Sequence, residues 1–156
     1  MLQEIERKFL VTSEAFKTEA YRKTYIKQGY LSVTPEATVR VRIRDVQATL
    51  TIKGKSNETG TSRYEWEKAI DVAEARELLQ LCTSGLIEKY RYEVNSGEYV
   101  FEVDEFLGAN AGLVIAEVEL KNEADFFEKP AWLGSEVTGD LRYYNAMLSQ
   151  HPFSQW

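Results

Sequence analysis

The sequence predicts an α+β chain built on an eight-stranded antiparallel β-barrel, with a few helices packed outside it. Hydropathy alternates with period two in segment after segment, as expected of strands with two unlike faces. Charged residues of both signs share one face of these segments, while Val, Ile, Leu, Phe, Tyr and Trp share the other. Helical segments are few. If the sheet closes with its charged face inward, the interior becomes a polar tunnel and the helices cover part of the apolar outside.

The strands follow in order. Glu4–Val11 alternates Glu4, Glu6 and Lys8 with Ile5, Arg7 and Phe9. A second strand runs from Tyr21 to Leu31. Thr38–Arg44 sets Arg40, Arg42 and Arg44 against Val39, Val41 and Ile43. Ala48–Lys55 sets Thr51, Lys53 and Lys55 against Leu50 and Ile52. A Gly-, Ser-, Thr- and Asn-containing loop, Lys55–Ser62, leads to Arg63–Ile70, with Arg63, Glu65 and Glu67 opposite Tyr64 and Trp66. Glu88–Val94 and Glu98–Phe106 flank Asn95-Ser96-Gly97, a hairpin turn with glycine where a positive φ is expected. Leu113–Lys121 closes the set, with Glu117, Glu119 and Lys121 opposite Ala116, Val118 and Leu120.

Asp71 and Glu74 read as a capping box before a helix whose Ala75, Leu78, Leu79 and Cys82 share a buried face. A short helical turn is expected from Thr12 or Ser13. Asp140 is expected to cap a last helix with Leu141, Tyr144 and Leu148 on one face. There is no internal repeat or linker, so residues 1–156 read as one domain.

Composition narrows the chemistry. The formal net charge is -6, opposite to the basic excess of a nucleic-acid-binding domain. No apolar run is long enough to cross a bilayer as a helix, and the first residues are acidic where a signal peptide is basic, so a soluble, cytoplasmic protein is expected. Cys82 is the only cysteine, which excludes an internal disulfide. His151, the only histidine, sits beside Pro152 in a tail-like ending, which argues against histidine-based triads and zinc sites built on histidine pairs. Carboxylates, lysines, arginines and bound metal must then carry any chemistry.

A charged tunnel is costly without a ligand, because buried unpaired charges cost several kcal/mol each, as a rough scale. A polyphosphate with divalent cations offsets both kinds of charge. Basic side chains take phosphate oxygens, and carboxylates take the metal.

The opening Glu4-Ile5-Glu6-Arg7-Lys8 projects two carboxylates and an ammonium from one strand face. It resembles the ExExK signature of the CYTH superfamily of triphosphate tunnel metalloenzymes. Further matches follow in order: Gln28-Gly29-Tyr30-Leu31, Val39-Arg40-Val41-Arg42, Thr51-Ile52-Lys53-Gly54, Glu65-Trp66-Glu67, Lys89-Tyr90-Arg91, Val103-Asp104 and Glu117-Val118-Glu119. Val137-Thr138-Gly139-Asp140 and Arg142-Tyr143-Tyr144-Asn145 also resemble the family's bacterial members.

The resemblance implies an eight-stranded tunnel, dependence on Mg²⁺ or Mn²⁺, and a triphosphate-containing small-molecule substrate. It implies metal ligation by Glu4, Glu6, Asp104, Glu117 and Glu119. Lys8, Arg40, Arg42, Lys53, Lys89 and Arg91 match the residues that grip phosphates, and Lys8 and Glu65 are the candidate catalytic groups. Arg44, Arg63, Glu102 and Lys121 point into the tunnel by parity. No nucleic-acid or membrane partner is expected, and a homodimer is left open.

Gly54-Lys55-Ser56 is not a P-loop, because Thr49 stands where that motif needs glycine and a strand follows. The branch most resembled is the stand-alone bacterial inorganic triphosphatase. Alternatives on the same fold are thiamine-triphosphate hydrolysis, nucleoside-triphosphate hydrolysis and cyclisation of ATP by a class IV-type adenylate cyclase. A module that binds polyphosphate or nucleotide without turnover is a further alternative.

Overall fold

Period-two alternation yields strands throughout the computed structural model, which describes residues 3–82 and 84–156. They are β1 (Gln3–Val11), β2 (Arg22–Ser32), β3 (Ala37–Arg44), β4 (Gln47–Gly54), β5 (Ser62–Ile70), β6 (Ile87–Ser96), β7 (Tyr99–Phe106), β8 (Val114–Glu119) and β9 (Leu133–Glu136). All pairings are antiparallel, in the order β5-β4-β3-β2-β6-β7-β8-β1-β9, and β5 also pairs with β1. That last pairing closes eight strands into a barrel, and β9 is an additional short strand.

Strand β1 is the seam. One of its edges lies along β8, with Glu6 opposite Glu119 and Lys8 opposite Glu117. The other edge is divided: Gln3–Ile5 pair with Tyr64–Ser62 of β5, and Phe9 and Val11 pair with Glu136 and Leu133 of β9. Between them the ladder is completed by loops, since Glu6 N–H donates to Thr61 O at 2.9 Å and Val137 N–H to Lys8 O at 2.8 Å. The Lys8 N–H donates to Thr138 Oγ1 at 2.9 Å. The irregular halves of this edge thus keep their backbone groups satisfied.

The apolar outer face is covered in three places. The first cluster gathers Phe9, Phe16, Phe101, Val118, Phe127 and Trp132 around β1, β7 and β8. Helix α1 (Phe16–Glu19) supplies Phe16 to it. Helix α2 (Val72–Leu79) lays Ala75 and Leu79 on Val41 and Ala48 of β3 and β4. The third cluster joins Ile87, Phe106, Leu113 and Ile115 to Tyr143 and Leu148 of the C-terminal segment, where α3 (Asn145–Leu148) lies. The β6–β7 turn has Gly97 at φ 61°, as its sequence predicts.

Several local expectations are corrected. Asp71 stands at the N-cap of α2 without a side-chain cap bond, so the capping box does not form. Cys82 is only half-buried, at the edge of the cluster under α2, because the helix stops before it. The expected last helix is interrupted. Asp140 caps a 3₁₀ turn over Leu141–Tyr143, accepting from Arg142 N–H at 3.1 Å, and the short α3 follows. Leu141 and Tyr144 both border the cavity, Leu141 largely exposed, while Leu148 is buried in the outer core, so the three do not form one buried helix face. Trp132 is a core residue at 1% exposure, packed edge-on against Phe16 and Phe101. No helix among the described residues is long and apolar enough to cross a membrane.

Candidate active site

The barrel encloses a cavity of about 710 Å³. Nine basic side chains and nine glutamates line it, among the described residues. Alternation delivers Glu4, Glu6 and Lys8 from β1, Arg40, Arg42 and Arg44 from β3, and Lys53 from β4. It also delivers Arg63, Glu65 and Glu67 from β5, Lys89 and Arg91 from β6, Glu102 from β7, and Glu117 and Glu119 from β8. Of the expected site residues, Asp104 alone does not line the cavity. Lys121 falls past the end of β8 and is exposed, so the period-two rule no longer places it inside.

On the β1–β5 side, Lys53 Nζ donates to both carboxylate oxygens of Glu4 at 2.9 Å and lies 3.3 Å from Glu65 Oε2. Arg63 Nε lies 3.6 Å from Glu4 Oε1. Burial works against ionising Glu4, but Lys53, a hydrogen bond with Glu65, and Arg63 together bring it down to about 2. Glu6 has no comparable partner, since Lys8 Nζ stays 3.9 Å away. Burial, Glu117 and Glu4 push its carboxyl up to about 8. Glu119, across the ladder from it, is raised by burial and by Glu4 and Glu102. Glu117 is held low despite its burial, chiefly by Lys8.

Across the cavity, Arg91 makes a two-pronged bond to Asp104, Nε to Oδ1 at 2.8 Å and Nη2 to Oδ2 at 2.9 Å. Lys89 Nζ approaches Asp104 Oδ2 at 2.7 Å. Both oxygens of Asp104 thus face cations, and the carboxylate sits at 1% exposure behind them. Burial opposes its ionisation, but Arg91 and Lys89 hold it well below the usual carboxylate range. Its visible work is to anchor the two β6 cations. Burial brings Lys89 down to about 7, with Arg91 and Arg42 adding to the effect against Asp104. Arg40 donates to Thr51 Oγ1 at 3.1 Å and faces Glu67 at 3.6 Å.

The residues that parity reasoning missed come from the C-terminal segment and β2. Tyr144 lies under Lys8, whose Nζ is 4.1 Å from the ring centre, with the Arg63 guanidinium at 5.4 Å. Asn145 Oδ1 accepts from Lys89 Nζ at 2.8 Å and from Gln28 Nε2 at 3.1 Å. Gln28 Oε1 in turn accepts from Arg42 Nε at 2.8 Å. The segment is brought inward by a close approach of two glycines: a Cβ on Gly60 (φ +75°) would sit 2.4 Å from Gly139 Cα. The signal for these residues was present in the Arg142-Tyr143-Tyr144-Asn145 match, which the strand pattern gave no means to place.

The donor set suits a hard divalent cation. Glu6, Glu119 and Glu117 meet along the β1–β8 ladder, every donor is a carboxylate oxygen, and the upward displacement of Glu6 and Glu119 marks crowded anions. No group of three such residues converges on one point among the described residues. Like charges repel, and Glu4 is drawn toward Lys53 instead.

This combination of closed antiparallel barrel, inward cations and paired carboxylates defines a polyanion-binding tunnel with room for metal. The chain belongs to the CYTH family, whose CYTH domain matches residues 2–149. It is 47% identical over 157 aligned residues to an inorganic triphosphatase of Acetivibrio thermocellus, covering 100% of this chain and 99% of that one. It is 38% identical over 152 residues to an inorganic triphosphatase of Nitrosomonas europaea, covering 95% and 97%. Among solved structures, a crystal structure of an inorganic triphosphatase matches with TM-score 0.67 and 34% identity, over 94% of this chain and 97% of the other.

Proposed function

We propose that this protein hydrolyses inorganic triphosphate in its tunnel with the help of Mg²⁺ or Mn²⁺. The observation that carries the reading is the placement of cations on opposite walls of one enclosed cavity, with carboxylates concentrated along β1 and β8. Relatives that are inorganic triphosphatases along their whole length support the substrate.

Water adds to a terminal phosphorus, the adjoining bridging P–O bond breaks, and orthophosphate and pyrophosphate leave. Such a transfer depends on placement and charge stabilisation more than on covalent help from protein. Arg40, Arg42, Lys53, Lys89 and Arg91 surround the phosphate chain, and Arg63 adds a further cation. Lys8, buried beside Glu6 and Glu117 and held charged by them, contacts the phosphate under attack. Glu4, Glu6, Glu117 and Glu119 would hold the metal, which when bound supplies charge neutralisation and Lewis acidity toward phosphate oxygens and water. Glu65 shares Lys53 with Glu4 and orients that lysine. Asp104 serves through Arg91 and Lys89.

The test is phosphate release from tripolyphosphate, thiamine triphosphate, ATP and pyrophosphate at matched free Mg²⁺ and Mn²⁺, with and without excess chelator. Tripolyphosphate should have the highest kcat/KM, and chelator should abolish release. A tenfold preference for ATP or thiamine triphosphate would overturn the inorganic assignment, and full activity in chelator would overturn the metal's role.

A further inference from the structure

In the closed strand order, the β1–β5 seam and the adjacent strands β2 and β6 stand on opposite walls of the barrel. Two consecutive residues reach both walls. Tyr144 meets Lys8 of β1 and Arg63 of β5, and its hydroxyl lies 3.4 Å from Ser56 Oγ. Asn145 meets Lys89 of β6 and Gln28 of β2. The C-terminal segment is therefore a strap across the barrel. It is fixed outside by Tyr143, which packs among Ile87, Phe106 and Ile115, with the Trp156 ring 5.2 Å away.

We propose that Asn145 is a positioning residue: through its side-chain oxygen it sets the Lys89 ammonium, and through Gln28 the Arg42 guanidinium, for the phosphate chain. The proposal rests on the triphosphate-tunnel reading above. Lys89 is 1% exposed and Gln28 is 0% exposed, so neither finds an alternative acceptor in bulk water. Without Asn145, Lys89 would turn fully to Asp104, which already carries Arg91.

The acceptor's chemistry is the second part of the case. An amide oxygen satisfies an ammonium N–H without cancelling its charge, which a carboxylate at the same place would do. Arg42 is likewise held by a neutral oxygen, that of Gln28, and makes no ion pair among the described residues. Gln28 thus orients Arg42 while leaving its charge available to an incoming anion, and Asn145 orients Lys89 without adding a second anion to the one that Asp104 already supplies.

The experiment compares wild type with Asn145→Ala, Asn145→Asp, Lys89→Met and the Asn145→Ala/Lys89→Met double variant. For each, kcat and KM for tripolyphosphate at saturating Mg²⁺ and the Tm are measured, together with the Kd for tripolyphosphate by calorimetry. Asn145→Ala should lose about tenfold to a hundredfold in kcat/KM, the scale of a misplaced catalytic group, with Tm within a few degrees of wild type. Asn145→Asp keeps the oxygen acceptor, so its kcat should recover to within a few-fold while its KM and Kd rise from the added negative charge. In the Lys89→Met background the alanine change should cost almost nothing, because its route of action is gone.

Wild-type kcat/KM in Asn145→Ala would overturn the proposal, as would a full multiplicative loss in the double variant. If the alanine variant does not fold, loss of kcat in a folded Asn145→Asp protein overturns it instead. A wild type inactive on every triphosphate sinks the proposed function, and the Kd series then decides the positioning role. Weaker tripolyphosphate binding by Asn145→Ala would support it, and unchanged binding would refute it.

Discussion

Lys53 Nζ lies 2.9 Å from both carboxylate oxygens of Glu4, so the cation proposed to grip phosphate and the anion proposed to hold metal are each other's partner in this structure. Under the proposed function, binding of a metal–triphosphate complex would exchange this pair for two others. In Lys53→Met, Glu4 is freed from its strongest competitor. Calorimetry without substrate should show Mn²⁺ binding up to about tenfold tighter, a change of roughly 1.4 kcal/mol, while KM for tripolyphosphate rises. Weaker Mn²⁺ binding in this variant would show that Lys53 does not compete for Glu4.

Glu6 makes stability depend on pH. Burial, Glu117 and Glu4 push its carboxyl up to about 8 from an ordinary 4.5, so between those values the folded state retains a proton that the unfolded state has released. Stability without metal therefore falls as pH rises through that window, and a bound divalent cation, which favours the ionised form, opposes the fall. Glu6→Gln removes this contribution. In chelator, the Tm of wild type should drop relative to Glu6→Gln between pH 5 and pH 8, values that follow the two pKa limits above. Parallel Tm curves would place Glu6 in a far less crowded setting.

Arg40 and Arg42 bring positive charge to a protein whose formal net charge is -6. Replacing either by Ala should raise KM for tripolyphosphate several-fold, by weakening a local field that must overcome the overall one. Added salt should mimic part of that loss in wild type and have less effect in the variants. Initial rates across a salt series check this, and salt slopes identical to wild type would count against phosphate-facing arginines.

Val41 lies between these arginines in sequence and on the opposite face, where it is fully buried against Ala75 and Leu79 of α2. Val41→Ala should cost about 1–3 kcal/mol of stability and leave KM near wild type. Denaturant unfolding alongside kinetics tests it. A KM effect without loss of stability would mean that the strand's faces are reversed.

Most of the barrel was legible in the sequence because strand parity is a local rule: Arg40, Arg42, Lys53, Glu117 and Glu119 all fall where alternation puts them. Parity says which face a residue is on, but not which neighbour occupies it, so the capture of Asp104 by Arg91 and Lys89 could not be read from spacing. Strand β9 is four residues long and contains Gly134, too short and too permissive to show a period. Tyr144 lies outside any strand or helix and Asn145 only opens the four-residue α3, so no period places them; a 3₁₀ turn precedes them and tertiary contacts set their direction. The helical period fitted to Leu141, Tyr144 and Leu148 was the wrong template for a segment that crosses a barrel.

The divided edge of β1 also governs how the molecule is assembled. Its partners lie far along the chain: the Lys8 amide and Thr138 are separated by 130 positions. Such non-local pairings slow folding, because chain entropy is lost long before contacts compensate for it. On the ribosome, β1 is made before β5, β8 and β9 and must wait for all three, with its strand edges open. Alternating Glu4, Glu6 and Lys8 guard it meanwhile, since charges along an unpaired strand discourage pairing with other chains. The residues assigned above to metal and phosphate would thus also protect the nascent strand until the barrel closes.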